Sequence, residues 1–385
     1  MSLARELRRV APPDAAAAEE RAWTIVRAAH AERPRTRAPR PRRRLTLALV
    51  TAVVVAAAAL SPPGLAVLGS LRDALTPGTT AHTRAALSSL PAAGRLLVNA
   101  PTGAWIVRAD GSKRRLGPYR DATWSPHGLY VAAAHGHDLV AVDPEGNVRW
   151  SLTRRGSVSA PSWNAPDGFR IAYFSGRDLH VVRGDGTHDR LLERIAGPAR
   201  AAWRPAGPQH VLAYRARGGQ LFVRDADTGR LLWRTNQLEA PQQLAWSSDG
   251  TRLLALGRRR YALFSATGRV LARGRLPFPQ LAVAAAFAPR SHSFALVVRR
   301  PAAGRSLVLL EPGGRRLFAG AGEISGAAWS PDGRWLLLGW RTADQWLFLR
   351  SASVRRLEAV SNIGAAFDPS GPGDFPALAG WCCSY

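Results

Sequence analysis

Residues 324–360 read ISGAAWSPDGRWLLLGWRTADQWLFLRSASVRRLEAV, and this stretch decides the fold. Its first segment, 324–329, is small and apolar and ends on Trp329. Ser330-Pro331-Asp332-Gly333 then makes a turn: Pro presets φ, Asp bonds nearby backbone, and Gly tolerates the closing geometry. Residues 335–340 form a second apolar run and 345–350 a third. The fourth, 354–360, alternates with period 2, as a half-exposed outer strand does. Small residues in the first strand suit a crowded axis, so the unit reads as one four-stranded blade of a ring.

The pentad of this unit recurs. Copies begin at Trp124 (WSPHG), Trp163 (WNAPDG), Trp203 (WRPAG), Trp246 (WSSDG), Phe287 (FAPRS), Trp329 (WSPDG) and Phe367 (FDPSG), at steps of 39, 40, 43, 41, 42 and 38 residues. A fixed period of about 40 residues with short apolar runs is the mark of a β-propeller. Hairpins between third and fourth strands also repeat, as in GDGTHDRLL, DADTGRLLW and EPGGRRL. The recurring Trp or Phe is read as a packing residue between blades rather than part of a cofactor site.

One hairpin lies within 95–116, ahead of the first pentad, while little chain follows Phe367. The expected architecture is therefore an all-β, seven-bladed β-propeller closed by strands from both ends, which removes the two sheet edges a linear stack would expose. In this reading residues 362–368 supply the inner strand of a blade whose outer strands come from 95–116. Residues 375–383 (FPALAGWCC) compete with 95–99 for the second-strand place.

Upstream of the propeller (94–385) the chain changes character. Residues 45–71 carry no charge, and seven arginines, Arg33 to Arg44, lie immediately before them. That one-sided flank predicts a single transmembrane helix with the N-terminus cytoplasmic and the propeller outside the cytoplasm. A cleaved secretory signal is the competing reading, but the 44-residue preamble is long for one. Residues 1–44 read as a basic cytoplasmic helical stub and 72–93 as a linker. The stub either lies on the anionic inner leaflet or docks a cytoplasmic partner.

The 385-residue chain has a formal net charge of +26, and only Lys113 among its 53 basic residues is lysine. Arg-rich, Ala-rich usage reflects GC-rich bacterial coding, yet such coding supplies Asp and Glu as freely. The surplus favours polyanions. Cysteine is confined to Cys382 and Cys383, which excludes a disulfide-built scaffold. Neighbours on a strand face opposite ways, so both are read as unpaired thiols.

These units resemble the TolB-type propeller repeat, whose hallmark is the W-S-P-D-G turn. Trp329 to Gly333 matches fully; the pentads from Trp124 and Trp246 match with one substitution each. DADTGRLLWR around Trp233 and DPEGNVRW around Trp150 resemble quinoprotein-type repeats. The Trp-Asp signature of WD-repeat propellers is absent, and Gly-His occurs once, at Gly136-His137, rather than once per blade. The resemblance implies a fold and leaves function open.

Catalytic signals are sparse. No G-x-S-x-G elbow is present, and no blade concentrates carboxylates for a quinone–calcium site. His135-Gly136-His137-Asp138 could bring two imidazoles to one ion, but a third ligand is missing and the position suits an ordinary polar turn. No metal, no cofactor and no catalytic residue is expected, and no specific nucleic acid. Arginine placement is more telling. Loops joining second to third strands emerge on one face of a propeller, and here they carry Arg177, Arg215, Arg217, Arg258, Arg259, Arg260, Arg299, Arg300 and Arg341. A ring of one sign between low-dielectric walls focuses its field. A composition-driven basic surface is the alternative, because Arg114, Arg115, Arg230, Arg315 and Arg316 fall on the opposite face. The expected role is a membrane-anchored, non-catalytic interaction module for an anionic ligand or partner protein. An anti-sigma-like transmembrane regulator is the runner-up and a quinoprotein-type enzyme the third reading.

Overall fold

Strands of five or six residues with both faces apolar cannot bury themselves singly, and the chain solves this by stacking small sheets side by side. The computed structural model describes residues 80–84, 87–194, 199–238, 240–351, 356–369, 371 and 374–383. Seven twisted antiparallel sheets succeed one another around an axis. From inside outward, blade 1 joins Ala377–Cys382, Arg95–Ala100, Gly103–Val107 and Lys113–Gly117. Blade 2 joins Arg120–Trp124, Val131–His135, Asp138–Val142 and Val148–Thr153. Blade 3 runs Val158–Trp163, Arg170–Ser175, Asp178–Arg183, Arg190–Arg194. Blade 4 runs Ala202–Trp203, Val211–Arg215, Leu221–Asp225, Leu231–Thr235. Blade 5 runs Gln243–Trp246, Arg252–Leu256, Arg260–Ser265, Val270–Arg275. Blade 6 runs Leu281–Phe287, Phe294–Arg300, Arg305–Glu311, Arg315–Ala321. Blade 7 runs Ile324–Trp329, Trp335–Trp340, Gln345–Arg350, Arg356–Ser361.

Strand periodicity divides each blade between its two neighbours. In the second strand of blade 7, Leu336 and Leu338 face blade 6, whereas Trp335 and Leu337 face blade 1. The same alternation builds seven apolar clusters, one for each interface around the ring. Outer strands such as Val148–Thr153 leave every second residue exposed.

The pentad holds its turn by satisfying backbone groups. Ser330 is fully buried; its Oγ accepts from Trp335 N at 2.9 Å and donates to Asp332 Oδ1 at 2.6 Å, and that carboxylate accepts from Arg334 N. Gly333 stands at φ 69°, where a side chain would be strained. The aromatic wedges between blades and also latches them: Trp203, Trp246 and Trp329 donate Nε1–H to the backbone oxygens of Ser162, Ala202 and Ala286 in the preceding inner strands. Trp124 and Trp163 take the same strand position without that bond.

The seventh aromatic is not Phe367. Residues 363–367 form a short helix, α1 (Ile363–Phe367), and the inner strand of blade 1 is Ala377–Cys382. That strand pairs antiparallel with Arg95–Ala100, so 375–383 and 95–99 are neighbours rather than competitors. Its Ala-Leu-Ala-Gly composition suits the crowded axis, and Trp381, opposite Leu96, takes the place that Trp329 takes opposite Leu336. Phe367 instead plugs the space between blades 7 and 1, with Trp346 at 5.4 Å and Trp105 at 5.8 Å. Thr102 Oγ1 and Lys113 Nζ bind the last carbonyls of α1.

Two other expectations are corrected. Cys382 and Cys383 are bonded to each other. Cys383 has φ 56°, which breaks the strand alternation and turns both sulfurs toward the Ser125–Gly128 turn of blade 2. Within the expected linker 72–93, Thr80–Arg84 forms a fifth strand, parallel to the outer strand of blade 7. It covers an edge that would otherwise be open. The stub 1–44 and the apolar run 45–71 lie outside the described residues. Among the described residues no helix is long and apolar enough to cross a membrane.

Candidate functional site: the arginine-bearing face

Strand order alone sorts the turns. Turns between second and third strands, and connections from each fourth strand to the next inner strand, leave on one face; the pentad turns leave on the other. Arg177 stands in the blade 3 turn, Arg215 and Arg217 in blade 4, and Arg258, Arg259 and Arg260 in blade 5. Arg299 and Arg300 end the second strand of blade 6, and Arg341 follows that of blade 7. All nine therefore share the first face, over five consecutive blades. Blades 1 and 2 contribute Thr102 and His137 at the same level. The result is an arc rather than a complete ring.

Charge compensation is uneven along this arc. Arg299 pairs with Glu323 at 2.5 Å. Arg177, Arg215, Arg217, Arg258, Arg259, Arg260 and Arg341 have no carboxylate partner among the described residues. Nearby carboxylates are otherwise engaged: Asp138 accepts from Thr153 Oγ1 and Asp344 from Gly364 N. Burial holds the Asp344 carboxyl above its ordinary range. Arg259 stacks on Phe278 at 5.1 Å, and its Nε, like that of Arg215, is buried without an acceptor among the described residues.

Two cationic features were not singled out from the sequence. Arg200, ahead of the inner strand of blade 4, reaches past blade 3 to donate to Asp121 O in blade 2 at 3.1 Å. Burial lowers its pKa, and the Asp121 charge opposes that. Arg273 joins Arg260 and Arg275 around a cavity of about 350 Å³ between blade 5 and the Gln237–Leu238 connection. The signal for the latter was present as alternate arginines in VLARGR, 270–275, but their facing partner depends on register. His135 and His137 do not gather a ligand set. His135 packs edge-on against Tyr119, and no group of three metal-binding side chains occurs among the described residues.

The opposite face holds a cleft of about 610 Å³ between blades 2 and 3. Leu129, Tyr130 and Phe169 line it and are exposed, Phe169 by 63%. Arg149, Arg170 and Arg183 rim it. One wall is braced by His210, which bridges Asp167 of blade 3 at 3.0 Å and Asp227 of blade 4; Arg170 Nε also binds Asp227 at 2.9 Å. Burial disfavours the charged His210, but the two carboxylates outweigh it and raise its pKa above the ordinary value.

No family model and no curated protein matches this chain. Solved structures do. The β-propeller domain of Cps50 (Swd1) from Myceliophteria thermophila aligns with TM-score 0.53 at 15% identity, over 66% of this chain and 93% of that one. Kuenenia stuttgartiensis hydrazine synthase aligns with TM-score 0.50 at 17% identity, over 68% and 88%. A chain of a mitotic checkpoint complex aligns with TM-score 0.49 at 18% identity, over 62% and 74%. At such identities the likeness concerns architecture alone, and propellers host unrelated functions. The TolB-type resemblance rests on the pentads themselves.

Proposed function

We propose that this protein is a non-catalytic interaction module that binds an anionic ligand or polymer through the arginine arc. The observation that carries it is the set of seven guanidiniums that have no carboxylate partner among the described residues, over adjacent blades. Five of the seven, Arg177, Arg217, Arg258, Arg260 and Arg341, are exposed, and like charges on neighbouring turns add their fields where a polyanion docks. The uncharged run 45–71 behind its arginine flank supports membrane anchoring with the propeller outside the cytoplasm. A reporter fused after Tyr385 is then active outside the cytoplasm and the mature chain keeps residues 1–44; a mature N-terminus near residue 70 overturns the anchor.

The arc is tested by replacing Arg177, Arg217 and Arg258 with Gln, one in each of three turns. A control replaces Arg114, Arg115 and Arg230 on the other face. Both lose three charges, so diffuse attraction falls equally. Elution from a heparin column at moderate salt, where exposed charges are screened within about 8–10 Å, shifts to lower salt mainly in the first variant. Equal shifts would reduce the arc to a generally basic surface.

A second reading, a protein partner, has its own observation in the blade 2–3 cleft. An apolar side chain fits the exposed Leu129, Tyr130 and Phe169 inside a rim that mixes Arg149, Arg170 and Arg183 with Asp167 and Asp185. Phe169→Ser abolishes capture of such a partner and leaves heparin elution unchanged; retained capture sinks this reading.

A further inference from the structure

The third and fourth strands of blade 5 pair so that Arg260 stands directly opposite Arg275, and Ala262 opposite Arg273. Opposite residues of a ladder project to one face, as do alternate residues of a strand. Arg260, Arg273 and Arg275 therefore leave the same side of a two-stranded ladder. Tyr261 and Gly274 occupy the other side, where the tyrosine ring lies so close that a Cβ on Gly274 would sit 2.0 Å from it. The ring also packs edge-on against Phe294 of blade 6, so this part of the ladder is held from behind. In front, Gln237 and Leu238 line the other wall of the open 350 Å³ cavity, and the three arginines are exposed at its mouth.

Nothing described in that cavity balances the charge. No described carboxylate lines it, and Arg273 donates only to the Gln237 carboxamide oxygen. Like charges directly opposite on a ladder are destabilising, so this arrangement costs stability unless an anion sits between the forks. Guanidinium forks match tetrahedral oxyanions in bidentate fashion. The volume falls at the lower end of ligand pockets, about 300–1,000 Å³, which leaves room for more than a bare ion. We propose that this pocket binds the phosphate group of a phosphate ester. The inference rests on the anion-binding reading of the same face and gives it a ligand class and a defined subsite. The ester can belong to a soluble molecule or to a lipid headgroup, and both offer the same tetrahedral anion.

The test uses the full chain purified in detergent. Isothermal titration with glycerol phosphate at about 0.15 M salt gives saturable one-to-one binding in the wild type. R273Q/R275Q weakens it by at least about tenfold, as expected for loss of two charge-assisted contacts. R273K/R275K keeps the charge and loses the fork, and it weakens binding as well. R114Q/R115Q/R230Q, which loses three charges on the opposite face, binds glycerol phosphate as the wild type does. Without ligand, R275Q melts at or above the wild-type temperature, since the opposed pair is relieved. A second arm uses phosphatidylglycerol vesicles; binding that depends on Arg273 and Arg275 there, without a glycerol phosphate signal, assigns the headgroup as the source. Absence of saturable binding in both arms overturns the proposal, as does equal weakening by the Arg114/Arg115/Arg230 set or full binding by R273Q/R275Q. The two readings fail separately: heparin elution reports on the arc whatever the pocket does, and glycerol phosphate reports on the pocket whatever the arc does.

Discussion

Replacing Trp329 by Ala removes the aromatic wedge between blades 6 and 7. Trp329 is 8% exposed, lies in the cluster with Leu336, Leu338 and Val297, and donates to Ala286 O at 3.0 Å. Truncation therefore opens a cavity at an interface and also leaves a part-buried carbonyl without that donor. Large-to-small aromatic changes in cores cost about 3–5 kcal/mol, and an orphaned acceptor adds about 1 kcal/mol or more. A propeller of about 290 residues has an unfolding entropy near 0.6 kcal/mol per kelvin, so a loss of about 4–6 kcal/mol lowers Tm by about 7–10 °C. Differential scanning calorimetry measures this directly, and a guanidinium titration with unchanged slope confirms a change in stability rather than in mechanism. Trp329→Phe refills most of the volume and loses the donor, so it falls between the two. A drop below about 2 °C in Trp329→Ala, the scale of a surface change, would refute the wedge.

Removing residues 377–385 takes away the inner strand of blade 1 and bares the edge of Arg95–Ala100, where Leu96, Leu97 and Val98 are fully buried; aggregation follows, and a soluble monomer of unchanged Tm would show that the ring closes otherwise. The His210 bridge makes stability depend on pH. Because its folded pKa is raised, its contribution is complete below about 6.5, the ordinary value, and is lost as pH rises through the folded value. Asp167 and Asp227 are lowered, so their share is present above the ordinary carboxylate value and disappears in acid. His210→Gln flattens the loss of Tm on the alkaline side; an unaltered pH profile would mean the bridge does not form.

The architecture was legible because its causes are local. A period of about 40 residues counts the blades, alternation assigns each strand face, and Ser-Pro-Asp-Gly makes the same turn wherever it occurs. The face occupied by Arg177, Arg217, Arg258 and Arg341 followed from strand order, since turns between second and third strands cannot leave on any other side. Phe367 misled because FDPSG imitates a pentad whose turn it does not make: Asn362, at φ 60°, starts a helix instead, and Gly364 N is captured by Asp344.

What only the tertiary structure decided are contacts between residues far apart in the chain. Ala377–Cys382 becomes the closing strand because its small residues pair in register with Arg95–Ala100, a partner at the other end of the domain. The cysteines bond because one positive φ turns Cys383 out of alternation. Arg299 is neutralised while Arg258 has no carboxylate partner among the described residues, which composition cannot foretell, because it depends on where Glu323 lands. Arg273 enters a site with Arg260 only through cross-strand register. Period and turn chemistry act over a few residues and can be read along the chain; charge pairing and ring closure act across space and exist only once the blades have met.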